Sequence, residues 1–422
     1  MLFQSPFTCD CWTRQHQAYT PNGKSLATVL NDFKVEIRES SNGNLLSTLR
    51  CIDKIDQIGW SPNGRHIFTA MYDRNAVHVF TPPTHPTHAS ARIDGGELGV
   101  EHVMWSPNSQ HLLVFGKYGV RCDIWELRTC RLTGIPGIKN SRKGVGFSPN
   151  KRVFAYLSRR DGKDVLCLHA TDDWHCIHCI ELNTLDANQL RWSPDGVHVA
   201  IADCQIEHRV VVVNSETGVS SSYEAYQSQK GVLSLCWCIN SHLLAVGSGN
   251  DAIQILFTPD WRLLAELDHI SLSRIENADH YEEETPGKMI PAKFPMKNYD
   301  GSFSGVNKIA WSKSGRYIVS MTKTMKRSIF IWDVESLALI HAFTFLTKVE
   351  DFQWSPQDDN LAVVIGTDKL LNWKPTGFRI SHSQEAAIQM HMVEWRSDGE
   401  SLAAYDKAAG TCTLAYVLED DE

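Results

Sequence analysis

Short apolar runs alternate with polar turns along this chain in one recurring figure, clearest at Gln189-Leu190-Arg191-Trp192-Ser193-Pro194-Asp195-Gly196-Val197-His198-Val199-Ala200-Ile201-Ala202. An alternating run closes on an aromatic residue, a tight turn follows, and a second apolar run leaves it. Pro194 presets the φ a turn needs, Asp195 adds turn chemistry, and Gly196 can take positive φ. The figure predicts a β-hairpin. Nine copies begin at Tyr19, Trp60, Trp105, Phe147, Trp192, Trp237, Trp311, Trp354 and Trp395, spaced by 41, 45, 42, 45, 45, 74, 43 and 41 residues. All but one of these intervals match the ~40–45 residues of a four-stranded propeller blade.

The strands inside each copy follow from alternation. In the second they are 55–60, 65–71 and 76–80; in the seventh, 306–311 and 317–321, then Ser328-Ile329-Phe330-Ile331-Trp332-Asp333. A fourth strand follows, as at 337–345 or 261–267. The fold class expected is all-β, with one nine-bladed ring over residues 1–422; two smaller rings are the alternative. Trp60, Trp105, Trp192, Trp237, Trp311, Trp354 and Trp395 are expected to pack blade against blade, because a buried Trp contributes several kcal/mol. The ninth copy supplies only three strands (393–395, 401–405 and 411–418) before the acidic end at 419–422. Leu2-Phe3-Gln4-Ser5-Pro6-Phe7-Thr8 has no blade of its own, so it is predicted to pair with the ninth copy and close the ring.

The 74-residue interval holds an insertion at 268–304 that contains Tyr281-Glu282-Glu283-Glu284-Thr285-Pro286-Gly287. Its charge and prolines predict a solvated, partly mobile loop between blades six and seven. A partner-docking loop, with Tyr281, Glu282, Glu283 and Glu284 as contacts, is the other reading. A shorter stretch, 81–88, reads as an extended connector.

The 422 residues are 42% hydrophobic and 21% charged, as in an ordinary globular protein. No run of 18 apolar residues is present, which predicts no membrane span. Met1-Leu2-Phe3-Gln4-Ser5-Pro6 lacks the pattern of a signal peptide, and the reading is intracellular. A net charge of −8 argues against broad binding to nucleic acid or anionic membrane. The twelve cysteines are scattered, as buried small hydrophobes would be. Cys176-Ile177-His178-Cys179, with His175 beside it, has metal-like spacing but fits an alternating strand equally, and no second Cys/His pair lies near. Phosphate-loop, nucleophile-elbow and H-E-x-x-H signatures are absent. No catalytic residue, metal site or cofactor is therefore predicted.

The Trp332-Asp333 dipeptide, with weaker relatives at Ile124-Trp125-Glu126 and Asn372-Trp373-Lys374, resembles the WD-repeat family across nearly the whole chain. That resemblance implies a β-propeller. The family's Gly-His dipeptide is largely missing, so its hydrogen-bonded tetrad is expected in few blades. A narrower resemblance runs through Cys51-Ile52-Asp53-Lys54-Ile55-Asp56-Gln57-Ile58-Gly59-Trp60, Ala70-Met71-Tyr72-Asp73-Arg74, Ser158-Arg159-Arg160-Asp161-Gly162-Lys163-Asp164, Glu224-Ala225-Tyr226, Leu244-Ala245-Val246-Gly247-Ser248, Thr258-Pro259-Asp260-Trp261-Arg262 and Phe352-Gln353-Trp354-Ser355-Pro356. These stretches are similar to the WD-repeat proteins of the centrosome and spindle pole body.

The narrower resemblance implies a non-enzymatic scaffold of the cytoplasm and cytoskeleton. It would bind a coiled-coil microtubule-anchoring protein, and with it a minus-end-directed kinesin-14 and the γ-tubulin complex, to anchor minus ends and support spindle assembly and cilium formation. Arg159, Arg160, Asp161, Lys163 and Asp164 are the first-choice partner contacts, read as a charged, solvent-facing turn between two strands of blade four. An unadorned charged turn is the competing reading. A different class of function, an RNA- or ribosome-associated propeller resembling a translation initiation factor, would need a basic face. The densest basic run, Lys323-Thr324-Met325-Lys326-Arg327, is short.

Overall fold

The recurring turn is closed by its own side chains. The Ser61 hydroxyl donates to Asn63 Oδ1 at 2.7 Å and accepts the His66 N–H at 2.9 Å. Asn63 Oδ1 also accepts the Arg65 N–H at 3.0 Å, and Gly64 takes a φ of 70°. Ser106 with Asn108 and Ser148 with Asn150 repeat the arrangement at 2.6 and 2.7 Å. Each such turn joins the first two strands of an antiparallel sheet.

The computed structural model describes the chain apart from residues 5, 10–12, 83–90, 205, 225–230, 259, 270–277, 293–304, 384–387 and 418–422. Much of the connector at 81–88 and the acidic end at 419–422 therefore lie outside the described residues. Those described form nine sheets, all antiparallel within the four-stranded blade. The fold is all-β, a propeller of nine blades. Two compact units hold them: residues 1–142, 367–370 and 381–422 in the first, and 143–366 with 371–380 in the second.

In the first unit the chain's start pairs with its end. Leu2–Phe3 runs antiparallel to the last strand, Thr411–Tyr416, with Leu2 opposite Tyr416. Phe7–Thr8 continues along the same strand, with Phe7 opposite Cys412. The Gln4 N–H donates to the Leu414 carbonyl at 2.8 Å, and the Cys9 N–H to the Gly410 carbonyl at 2.8 Å. Cys9 is buried with Leu26, Met392, Tyr405 and Leu414. The predicted closing strand is thus present, and it covers an edge that would otherwise be open.

The aromatic that ends each first strand does more than pack. The Trp60 indole N–H donates to the Ala18 carbonyl at 3.1 Å, and that of Trp105 to Gly59 at 2.9 Å. In the second unit Trp192 reaches Gly146, Trp237 reaches Arg191, Trp311 reaches Cys236 and Trp354 reaches Ala310, all at 2.9–3.1 Å. Each acceptor is the residue just before the preceding blade's own aromatic. Each bond ties the first strand of one blade to that of the blade before it. Trp395 is buried as well.

Within the insertion at 268–304 the described stretch 278–292 departs from the expected solvated loop, and 270–277 and 293–304 lie outside the described residues. Asp279–Thr285 and Lys288–Ala292 form a hairpin around Pro286-Gly287, where Gly287 takes a φ of 83°. Pro followed by positive-φ Gly is the type II pairing. The hairpin runs parallel to the outer strand of blade seven, Ala338–Thr344, with Tyr281 opposite Phe343, and widens that sheet to six strands. Pro291 sits on the new edge strand, the place in a sheet where proline is tolerated. Alternation overrode charge here. Tyr281 packs on Phe343 and Phe378 at centroid distances of 5.6 and 4.7 Å.

One buried residue, Asp251, holds both His269 and Gly305. The Asp251 carbonyl accepts His269 Nδ1 at 2.6 Å, and its carboxylate accepts the Gly305 N–H at 2.7 Å and the Thr324 hydroxyl at 2.7 Å.

Candidate protein-binding surface

In blade four, Val153–Arg160 and Lys163–Ala170 pair so that Arg159 opposes Asp164 and Arg160 opposes Lys163. Two residues remain for the turn. Asp161 and Gly162 take φ of 49° and 80°, the primed geometry that suits strand twist. Arg159, Arg160, Asp161 and Lys163 are exposed, and Lys163 pairs with Glu181 at 2.7 Å.

Asp164 departs from the solvent-facing expectation, since it is only 1% exposed. Its Oδ2 accepts the Ala187 N–H at 2.6 Å and the Thr184 hydroxyl at 2.9 Å. Alternation explains the difference, because Asp164 follows the exposed Lys163 and points to the sheet face on which blade five packs. Asp203, equally buried, accepts the Leu185 N–H at 2.9 Å and the Asp186 N–H at 2.8 Å. Two buried carboxylates therefore fix the backbone of residues 184–187.

That fixed loop presents an exposed Leu185 and sets Asp186 3.1 Å from Arg159 Nη1. Ile206, in the next connection of the same end, is 72% exposed. The result is a mixed surface of an aliphatic side chain, a guanidinium and a carboxylate on a loop whose backbone is already held, with Ile206 exposed at the same end of the next blade. Charge from Arg beside bare aliphatic area suits an amphipathic helix that carries carboxylates. Alternation and turn chemistry pointed to the arginines. Leu185, Asp186 and Ile206 were missed, because single apolar residues in loops carry no local signal.

Of the four insertion residues, two face inward. Glu283 is buried, and its carboxylate accepts the Gly287 N–H at 2.6 Å and the Leu346 N–H at 3.0 Å. Tyr281 packs as described above. Glu282 and Glu284 are exposed, the latter paired with Lys288 at 2.6 Å. The insertion belongs to blade seven and the arginine hairpin to blade four, so the two sets sit on different blades.

The first unit carries a pocket of about 380 Å³ lined by Thr13, Gln15, His16, Asp32, Lys54, Asp56 and Tyr72. No three His, Cys, Asp or Glu side chains among the described residues are grouped to hold a metal ion.

Blade seven also contains much of the family's polar core. The Trp332 indole N–H donates to Ser320 Oγ at 3.0 Å, and Ser320 Oγ lies 2.8 Å from His269 Nε2. Asp333, buried beside Trp332, pairs with Arg316 at 2.8 Å.

Four-stranded blades, their Trp-capped turns and this Trp–Ser–His chain make the protein a WD-repeat β-propeller. Residues 293–333 match the family described as WD domain, G-beta repeat. The WD repeat-containing protein WRAP73 of Mus musculus is 25% identical over 423 residues, covering 92% of this chain and 91% of its own. An uncharacterized WD repeat-containing protein of Schizosaccharomyces pombe is 23% identical, covering 81% of this chain and 74% of its own. Among solved structures, the C-terminal WD40 domain of Sif2 superposes with a TM-score of 0.56 at 9% identity, over 99% of each chain. A eukaryotic initiation factor does so with a TM-score of 0.61 at 14% identity, over 92% of this chain and 93% of its own. At such identities these two likenesses establish the fold alone.

Proposed function

We propose that the chain is a non-enzymatic scaffold of the centrosome or spindle pole body. In this reading it holds a coiled-coil microtubule-anchoring protein and, through that complex, a minus-end-directed kinesin-14 and the γ-tubulin complex. The observation that carries the scaffold role is the preformed surface of Arg159, Leu185 and Asp186, its loop held by the buried carboxylates of Asp164 and Asp203. Preordered backbone lowers the entropic cost of binding a helix. The place of action rests on the resemblance of the segments spread through most blades to the centrosomal and spindle-pole proteins.

Affinity purification of the tagged chain with mass spectrometry tests the partners, and imaging of the same tag tests the place. The expected outcome is a coiled-coil protein with a kinesin, and a focus where microtubules converge. Recovery of ribosomal subunits with a diffuse signal would reject the reading.

A further inference from the structure

The outer strand of blade four, Cys176–Glu181, pairs with Lys163–Ala170 so that Cys179 stands directly opposite Cys167. The register then slips. His178 opposes Leu168 but Cys176 opposes His169, which leaves Ile177 as an extra residue. In an unbroken strand residues three apart point to opposite faces. The bulge at Ile177 turns Cys176 onto the same face as Cys179. Three sulfurs gather as a result. Cys179 Sγ lies 3.3 Å from Cys167 Sγ and 3.4 Å from Cys176 Sγ. Directly opposed antiparallel residues have Cα atoms about 4.5–5.5 Å apart, inside the ~4.4–6.8 Å that a disulfide accepts. All three cysteines are free thiols.

We infer that this cluster is a reversible oxidation site in which Cys179 forms a disulfide with one of its two neighbouring thiols, hydroperoxides being the oxidant. Cys176 and Cys179 are exposed, so peroxide has access to both, whereas Cys167 is buried. In the first step a sulfur attacks a peroxide oxygen, the O–O bond breaks, and a sulfenic acid and one water result. In the second step a neighbouring thiol attacks the sulfenic sulfur, the S–S bond forms and the second water leaves. Two thiols and one hydrogen peroxide thus give one disulfide and two waters, the sulfurs being oxidised and the peroxide reduced.

Geometry makes Cys179 the shared member. The Cys167 thiol is the weaker candidate for first attack, because burial pushes it up to about 12 and keeps it protonated. The guanidinium of Arg160, with Nη2 3.6 Å from Cys167 Sγ, favours negative charge on sulfur during exchange. The product would covalently join or stiffen the outer edge of the blade that carries the Arg159–Arg160 turn.

The test treats the full chain with hydrogen peroxide, blocks remaining thiols, and maps the disulfides by mass spectrometry of an unreduced digest. The expected result is loss of two of the twelve thiols, with Cys179 in every disulfide-linked peptide and full recovery under dithiothreitol. Cys179→Ser should abolish the linked peptide, while Cys130→Ser, at an exposed cysteine elsewhere in blade three, should leave it intact. Circular dichroism of the Cys179→Ser chain checks that the blade is still folded. Oxidation of Cys179 to sulfinic acid with no linked peptide would overturn the inference. So would a two-thiol loss that persists in Cys179→Ser.

Discussion

The Gly305 N–H donates to the Asp251 carboxylate at 2.7 Å across 54 residues of sequence, while His269 donates to the carbonyl of the same residue. His269 and Gly305 are thus held by one residue, the first through its carbonyl and the second through its carboxylate. Asp251→Ala would strand the Gly305 N–H and the Thr324 hydroxyl, and would place alanine at a φ of 60°. Hydrogen bonds to a charged group are worth ~1.5–3 kcal/mol each, so the loss should be about 3–5 kcal/mol. Asp251→Asn, which keeps an acceptor and tolerates positive φ, should lose less. Denaturant midpoints followed by tryptophan fluorescence measure both. An unchanged midpoint in the alanine variant would refute the clamp.

Removing residues 1–8 strips the partner from one edge of Thr411–Tyr416. It also deletes the Gln4 carbonyl that accepts the Thr413 hydroxyl at 2.5 Å. The melting temperature should fall by several degrees, and the bared edge should raise aggregation with concentration. Scanning calorimetry and light scattering read the two effects. A melting curve identical to that of the intact chain would contradict closure by this strand.

How much of this was legible beforehand differs from element to element. Nine turns, their spacing and the closing strand follow from local chemistry, since each copy carries its own aromatic and, in eight of the nine, a proline, a glycine or both in the turn behind it. The 279–292 hairpin was obscured because Glu282 and Glu284 dominate its composition. Yet the alternation of Tyr281 and Glu283 inward, with Pro286-Gly287 as a turn, was present in the chain. His269 could not be assigned locally, because its partner Ser320 lies 51 residues further on. The same holds for Asp164, whose role depends on the Ala187 N–H of the following connection.

Arg159 and Asp164 oppose each other in register, yet they should answer differently to substitution. The Arg159–Asp186 pair is exposed and worth ~0–1 kcal/mol, so Arg159→Ala with Arg160→Ala should leave the melting temperature nearly unchanged. The same pair of changes should weaken capture of the coiled-coil partner in a pull-down. Asp164→Ala should instead destabilise by about 2–4 kcal/mol, because it abandons a buried N–H and a hydroxyl. Partner capture that survives the double arginine change at full strength would remove these residues from the interface.

His269 should make stability depend on pH. Its Nδ1 faces a carbonyl that can only accept, so Nδ1 carries the proton and Nε2 accepts from the Ser320 hydroxyl. Ser320 in turn accepts from Trp332, and the chain of donors runs in one direction. A proton on Nε2 would oppose the Ser320 hydroxyl and place a charge in the core. Burial accordingly lowers the pKa to about 4, against an unfolded value near ~6.5. Above the unfolded value both states are neutral and the full stability is present. As pH falls from about 6.5 toward 4 the unfolded chain takes up the proton first, and stability is lost at up to ~1.4 kcal/mol per pH unit. His102, lowered to about 4 mainly by burial, adds a loss of the same sign. His269→Gln should be less stable at pH 7 but lose less on going to pH 5, because only the His102 share remains of the two. Denaturant midpoints at the two pH values give the slopes, and equal slopes in both proteins would show that His269 is not the titrating group.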